Sequence, residues 1–515
     1  MKPNQPQTFF RLLPPILLAL SLSGIYLFTL APGLTWANAG SDGGDLITAA
    51  WTGGIAHPTG YPLYLILARI FQWLPIGSLA YRTNLMSALA MTAAAVLVYG
   101  LVTQTLSQSG IDLNWPAGLA AGFAFGLAPL VWSQAVITEV YALQAFLTAL
   151  ILNLYLPSRP LQDINPKSLD RWRGLAIGLA AGNHITTLFV VPLALFLGSL
   201  QRESEEKAAP RTESPRYGKL PIDVVSLLRQ LIWFGIGLSV YLILPLRAMA
   251  HPPVNWGNPI TFERFWWLVS GQLYQSYYLQ FTLAGGWGHV QTWAVLLLQQ
   301  FGLVGLVLGS LGLALFFTPS RLYAFTIWIS IVYSALMFVY RSDDALVYLI
   351  PVYLVFAIWI GLGAGNVMGR FALRSNSIRL GLGLLLIGYF VIRSLGFVEQ
   401  VDAAPDLRAE QFGRQVLDAA PDNALIFAKG DQAVFSLWYF RFALNERPDL
   451  VVIAEDLLHF DWYQETLQKV YPALGVPGPF PWPETIALAN PQRAVCYIQY
   501  TDQAEINCRE PVGPP

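Results

Sequence analysis

Charge and cysteine are what this chain has least of. Only 12% of its 515 residues are Asp, Glu, Lys or Arg, and two are cysteine, against 55% that are hydrophobic. Two cysteines exclude a disulfide framework and a Cys-rich metal site. A net charge of −1 offers no basic face, which excludes a nucleic-acid partner. Soluble-enzyme signatures are missing too: there is no GxxxxGK[ST] phosphate loop, no HExxH zinc pair, no GxSxG elbow and no GxGxxG after a strand. No dedicated metal-ligand set and no cofactor motif is recognisable. Any chemistry rests on oxygen and nitrogen side chains.

What is present is apolar length. Runs of roughly 17 to 25 residues, enough to cross about 30 Å of hydrocarbon, fall at 12–31, 81–106, 116–133, 139–157, 223–246, 290–317, 322–340, 345–368 and 379–396. The run at 174–200 is broken at its centre by Gly182-Asn183-His184, and reads as two short helices forming a hairpin. The expectation is an α-helical polytopic membrane protein with about eleven transmembrane helices, rich in interfacial Trp and Tyr. Ala37-Asn38-Ala39 resembles a signal cleavage site, but the run before it is long for a signal peptide and reads as a retained span.

Lys and Arg sort the loops. Lys2 and Arg11, then Arg159 to Arg173, Arg202 to Lys219 and Arg370 to Arg379 fall on one side, which positive-inside bias makes cytoplasmic. The other side receives 32–80, 134–138, 247–289, 341–344 and everything after about 397. Domain organisation follows: an N-terminal catalytic module 1–200 with its external loop 32–80, a charged cytoplasmic linker 201–222, transmembrane helices 223–396 with external loop 247–289, and an extracytoplasmic domain 397–515. In that last region charges return, and β-prone runs at 424–428, 450–454 and 494–498 alternate with helical stretches such as 433–444. It reads as a small α/β domain. Cys496 and Cys508 both lie in it, either paired or free.

Candidate chemistry sits on the external side, because polar groups near a bilayer are costly without a task or a partner. The first loop carries Asp42, Asp45 and His57. A carboxylate there can act as general base toward a hydroxyl, and a histidine or arginine can stabilise a departing phosphate; alternatively Asp42 caps the next helix and His57 orients the turn His57-Pro58-Thr59-Gly60-Tyr61-Pro62. Glu139 begins a helix, where either function or helix-dipole stabilisation explains it. Arg341 can pair a phosphate or its neighbour Asp343, and Arg247 invites the same two readings. His184 is a buried hairpin histidine or a ligand. Asp431 follows a strand at the end where α/β sheets bind ligands, or simply forms a turn.

Three stretches carry a resemblance along most of the chain: Ser41-Asp42-Gly43-Gly44-Asp45-Leu46-Ile47-Thr48-Ala49-Ala50, Gly54-Ile55-Ala56-His57-Pro58-Thr59-Gly60-Tyr61-Pro62-Leu63-Tyr64 and Arg82-Thr83-Asn84-Leu85-Met86-Ser87-Ala88. With Trp132-Ser133-Gln134-Ala135, Glu139-Val140-Tyr141-Ala142-Leu143, Gly182-Asn183-His184, Asn255-Trp256-Gly257-Asn258-Pro259 and Arg447-Pro448-Asp449, the chain resembles a large family once labelled only as a membrane domain of unknown function. That family looks like a branch of the GT-C glycosyltransferases and includes the animal endoplasmic-reticulum protein O-mannosyltransferase. The resemblance implies a polyprenyl-phosphate-linked sugar donor, a hydroxyl acceptor on protein or glycan, and an inverting transfer at the extracytoplasmic face. It implies Asp42 as base, with Asp45, His57 and Glu139 beside it. Arg341, Arg247, His184, Tyr61 and Asp343 are then donor-phosphate or substrate-binding candidates. The chain departs from the common pattern at Asp45, where relatives usually carry Glu, and at Thr59, where they usually carry Pro. A transporter or flippase of lipid-linked sugars is the alternative; the inverted repeats such proteins show are not evident. The loops suit a bacterial inner membrane with a cytoplasmic N-terminus.

Overall fold

Apolar length translates directly into helix. The computed structural model describes residues 5–111, 113–156, 165–200, 222–277, 283–315, 320–340, 345–371, 375–478 and 481–511. Helices cover every one of the nine uninterrupted apolar runs, from Gln5–Thr29 through Leu79–Gln108 to Asn376–Leu395. Among the described residues seven helices are long and apolar enough to cross a membrane, or eight if Trp115–Gly126 and Pro129–Ala135, bent by 70°, form one broken span. The expected count of about eleven is therefore not reached. Tyr141–Tyr155 has only 15 residues, about 22 Å at 1.5 Å per residue, and the run at 174–200 divides into shorter pieces.

That division is the expected hairpin. Pro166–Asn183 stops at His184, a 3₁₀ turn spans Ile185–Phe189, and Val191–Ser199 returns. Arg173 Nη1 donates to the Gly198 carbonyl at 3.3 Å, so both ends lie on the same face. The first helix packs into the bundle: Tyr26 Oη donates to Gly126 O at 2.6 Å, and Trp132 Nε1 donates to Thr29 Oγ1 at 2.9 Å. Ile350–Phe371 forms the interior of the bundle, nearly all of it buried, whereas Asn376–Leu395 turns Leu385 and Ile392 outward, as a lipid-facing helix would.

After the bundle comes a four-stranded sheet, β1 Leu425–Lys429, β2 Val451–Ala454, β3 Val495–Tyr500 and β4 Ala504–Arg509, in the order β2-β1-β3-β4. β1 runs parallel to both β2 and β3, and β4 closes the edge antiparallel to β3. Cys496 and Cys508 face each other across β3 and β4 and form a disulfide, which resolves the choice between paired and free thiols.

This α/β domain is bound to the loops 32–80 and 247–277 at several points. Asp406 accepts from Thr35 Oγ1 (2.7 Å) and Trp36 N (2.9 Å), and Asn38 Nδ2 donates to Val401 O (2.9 Å). From the loop 247–277, Arg264 grips Glu465 with both terminal nitrogens, at 2.7 and 2.8 Å, and Asn258 donates to the same carboxylate. Backbone meets backbone at Gly44, where an added Cβ would lie 2.4 Å from the Phe435 carbonyl oxygen. Only glycine lets the helix Gly43–Thr52 of the first loop lie against the helix Asp431–Trp438 that follows β1. The segments sorted to one side by charge, 32–80, 134–138, 247–277 and 397–511, thus meet on one face of the bundle.

Candidate active site

The first loop is held open by its own motif residues. Asn84 Nδ2 donates to the carbonyls of Ala31 and Gly33, and its Oδ1 accepts from Thr138 Oγ1 at 2.6 Å. Ile55 pairs in parallel with Asn255, its N–H reaching Val254 O at 2.9 Å, which seats the Asn255-Trp256-Gly257 stretch beneath His57. The turn after His57 closes through Gly60 N to His57 O at 2.8 Å, with Gly60 at φ 83°, a region that favours glycine.

Asp45 is fully buried, and its partners converge on one task. Its Oδ2 accepts from the His57 backbone N–H (3.0 Å) and pairs with His57 Nδ1 (2.8 Å), while Oδ1 accepts from Trp256 Nε1 (3.1 Å). The opposite nitrogen of the ring, Nε2, lies 3.4 Å from Asp42 Oδ2. An imidazole therefore bridges an interior carboxylate and an outer one. Asp42 is the accessible end, with 31% of its side chain exposed against 0% for Asp45.

Burial alone would lower the His57 pKa, but the charge of Asp42, the hydrogen bond and charge of Asp45, and the charge of Glu139 outweigh it and raise the pKa from the ordinary 6.5 to about 9. His57 is thus an imidazolium at neutral pH, with one proton directed at each acid. Aromatic rings wall it in: Tyr61 edge-on at 5.1 Å, Trp256 edge-on at 6.3 Å and Phe435 stacked at 6.4 Å.

The capping reading of Asp42 does not hold. Asp42 occupies the N-cap position of Gly43–Thr52 but its side chain makes no cap hydrogen bond. Glu139 precedes the helix Tyr141–Tyr155, whose first turn contains no acid; it is buried, and its charge acts on His57. Asp42, Asp45, His57, Tyr61 and Glu139 are therefore gathered at one place. His184 lies one layer further, its ring 5.9 Å from Tyr61 and Tyr141 and 5.6 Å from Tyr348, with Nδ1 2.8 Å from Thr186 Oγ1. It lines a narrow cavity with Gln144 and Tyr333.

Arg247 donates to Gly54 O at 3.2 Å and its charged neighbour is Arg69, so it belongs to the far end of the loop rather than to the Asp42–His57 pair. Arg341 and Asp343 lie outside the described residues. Two members of the site were not assigned a role from sequence, Trp256 and Phe435. Trp256 was visible as the centre of the Asn255-to-Pro259 motif; nothing in the sequence flags Phe435.

Comparison with known proteins adds three findings. The family model described as the Protein O-mannosyl-transferase TMEM260 N-terminal domain matches residues 42–207, and the TMEM260-associated domain 2 matches residues 409–510. The Protein O-mannosyl-transferase TMEM260 of Mus musculus is 26% identical over 89% of this chain, and that of Dictyostelium discoideum 24% identical over 90%. The chain spans 65% and 60% of the length of those two relatives. Among solved structures, ArnT from Cupriavidus metallidurans bound to undecaprenyl phosphate superimposes with a TM-score of 0.57 over 96% of this chain and 94% of that one, at 13% identity. Its apo state gives 0.56 over 97% and 94%, at 12% identity. At such identity the likeness is one of fold.

Proposed function

We infer that the chain, similar in sequence to the TMEM260 protein O-mannosyl-transferases and in fold to ArnT, is a GT-C-type membrane glycosyltransferase that moves a sugar from a polyprenyl-phosphate donor to a hydroxyl acceptor. The observation that carries this reading is the Asp45–His57–Asp42 chain, which ends in a partly open carboxylate at the junction of the bundle and the α/β domain. The undecaprenyl phosphate bound by ArnT supports a lipid-linked donor, and the name of the relatives makes mannose the first sugar to try.

Asp42 is the base. As the acceptor oxygen bonds to the anomeric carbon, its proton passes to Asp42; the bond from that carbon to the phosphate oxygen breaks, and the electron pair leaves with the lipid phosphate. In-line displacement of this kind inverts the anomeric configuration. His57 orients Asp42 and holds positive charge beside it, and a preorganised charge in a water-poor site is an effective stabiliser. Asp45 and Trp256 fix the ring. Glu139 adds to the negative field that keeps it protonated. Tyr61 and His184 wall the donor side, Arg341 is the candidate for further phosphate contact, and Arg247 and Asp343 are candidates for other contacts to substrate. Closing the cavity against water prevents the donor from being hydrolysed.

We place this face outside the cytoplasm, in accord with the distribution of Lys and Arg and with the Cys496–Cys508 disulfide, a bond that persists in oxidising compartments. The test is to reconstitute the protein in lipid nanodiscs, supply a panel of radiolabelled polyprenyl-phosphate sugars, and determine the anomeric configuration of the product by NMR. An inverted product from one donor is expected. A retained configuration contradicts the in-line route.

A further inference from the structure

At the end of the first loop furthest from Asp42, two arginines meet. Arg69, in the last turn of the helix Pro62–Gln72, donates through Nη1 to the Trp51 carbonyl, and Arg247 donates through Nη1 to the Gly54 carbonyl at 3.2 Å. These two carbonyls are three residues apart at the C-terminal end of the helix Gly43–Thr52, and the charge of Arg69 is felt at Arg247. Capping the negative end of a helix accounts for one N–H of each side chain. A guanidinium carries five. Neither arginine has a carboxylate partner among the described residues. Two like charges held together without an acid between them repel, and an anion that bridges them turns that cost into a gain.

The setting says which anion. Arg247 is the penultimate residue of the candidate span Val224–Ala248, so the pair lies where a span leaves the hydrocarbon. Arg69 stacks on Trp51, its guanidinium carbon 4.1 Å from the ring centroid, and has Trp73 at 5.9 Å. Ile70 and Trp73 next to Arg69, and Leu246 and Met249 next to Arg247, are exposed apolar side chains. A ligand suited to this place has a phosphate for the planar guanidiniums and aliphatic chains for the surface around them. The helix Gly43–Thr52 then acts as a ruler: its 10 residues separate the pair from Asp42 by about 15 Å at 1.5 Å per residue. The phosphate of a sugar donor is one bridging oxygen from the anomeric carbon attacked beside Asp42, and cannot also be at the other end of this helix.

We propose that Arg69 and Arg247 form a binding site for the phosphodiester of a membrane phospholipid, a second lipid distinct from the donor. The guanidiniums hold its non-bridging oxygens, and its acyl chains run along the apolar surface of Leu246 and Met249. Of the two roles open to Arg247, contact with substrate and contact with a resident lipid, the distance to Asp42 favours the second. Bound there, the lipid ties the helix Pro62–Gln72 to the span Val224–Ala248, and so braces the far end of the loop that carries Asp42, Asp45 and His57. Only the exclusion of the donor rests on the transferase reading above; the site itself does not.

Native mass spectrometry of the full-length protein, delipidated in detergent and titrated with dioleoylphosphatidylglycerol, counts the lipids bound and gives their Kd. Arg69→Gln keeps an amide N–H for the Trp51 carbonyl and loses the charge. It raises the Kd of the tightest phosphatidylglycerol by about tenfold or more, while the Kd of undecaprenyl phosphate stays within about twofold of wild type. Dioleoylglycerol, which lacks the phosphate, binds wild type and variant alike. Arg247→Gln serves where Arg69→Gln fails to fold, and raises the same phosphatidylglycerol Kd. A phosphatidylglycerol Kd equal to wild type in a folded variant overturns the proposal. An equal loss for undecaprenyl phosphate in Arg69→Gln overturns it too, because the pair then belongs to the donor. Inorganic phosphate that displaces phosphatidylglycerol at equal concentration also overturns it, because the site then reads a free anion and not a lipid.

Discussion

Asp42 and Asp45 are three residues apart, of the same type, and opposite in circumstance. Asp45 has no exposure and receives three hydrogen bonds, two from His57 and one from Trp256, whereas Asp42 keeps an open side. Asp45→Ala leaves the His57 imidazolium and the Trp256 N–H without their buried acceptor; removing one partner of a buried pair costs about 3–5 kcal/mol, to be read from thermal unfolding in detergent. The pH response of His57 has a definite sign. Its pKa is raised from 6.5 to about 9 in the folded protein, so its stabilising contribution is complete below pH 6.5 and is lost as pH rises through 9. The difference in Tm between wild type and His57→Gln should shrink over that interval; a difference that grows with pH contradicts the bridging ion pair. The cluster of two acids and a histidine was legible in the sequence because it is local. The division of labour within it was not, because the deciding contact comes from Trp256, which is 211 residues away along the chain.

The elements that hold the site are the helix Gly43–Thr52 and the helix Asp431–Trp438, touching at Gly44 and Phe435. Gly44→Ala puts a methyl 2.4 Å from a backbone oxygen, which cannot swing aside as a side chain would. Overpacking of this kind costs about 1–3 kcal/mol, and its signature should be faster proteolytic release of the α/β domain with the bundle left folded. Unchanged proteolysis would mean that the two helices are not clamped together. Periodicity made most elements readable: the nine apolar runs became helices, the Gly182-Asn183-His184 break became the turn of a hairpin, and three of the four strands fell where β-prone runs predicted them. β4 escaped although Ala504, Ile506 and Cys508 alternate with Glu505, Asn507 and Arg509, because six mostly solvent-exposed residues at a sheet edge carry too short an apolar signal. The 70° bend near Pro129 escaped because hydropathy reports apolar length and not direction.

At the scale of the whole molecule, the account is one of convergence. A first loop, a turn at 134–138, a second loop and a C-terminal α/β domain, separated by hundreds of residues, meet on one face because hydrophobic spans of similar length return the chain there repeatedly. That these loops share a face was legible from Lys and Arg, and the GT-C fold from the motifs; the docking of the α/β domain on the first loop was not, since it depends on pairs such as Asp406 with Trp36 and Glu465 with Arg264 that no local pattern announces. That convergence places Asp42, at the start of the helix Gly43–Thr52, where the bundle meets the α/β domain. The central claim is that Asp42 is the base of a sugar transfer. Its most direct measurement is release of radiolabelled mannose from polyprenyl phosphate to acceptor in nanodiscs, for wild type and Asp42→Asn, which keeps the shape and removes the basicity. The account predicts turnover in the wild type and a loss of about 10²–10⁴-fold in the variant, with its Tm close to wild type. Near-normal transfer by a folded Asp42→Asn would contradict it.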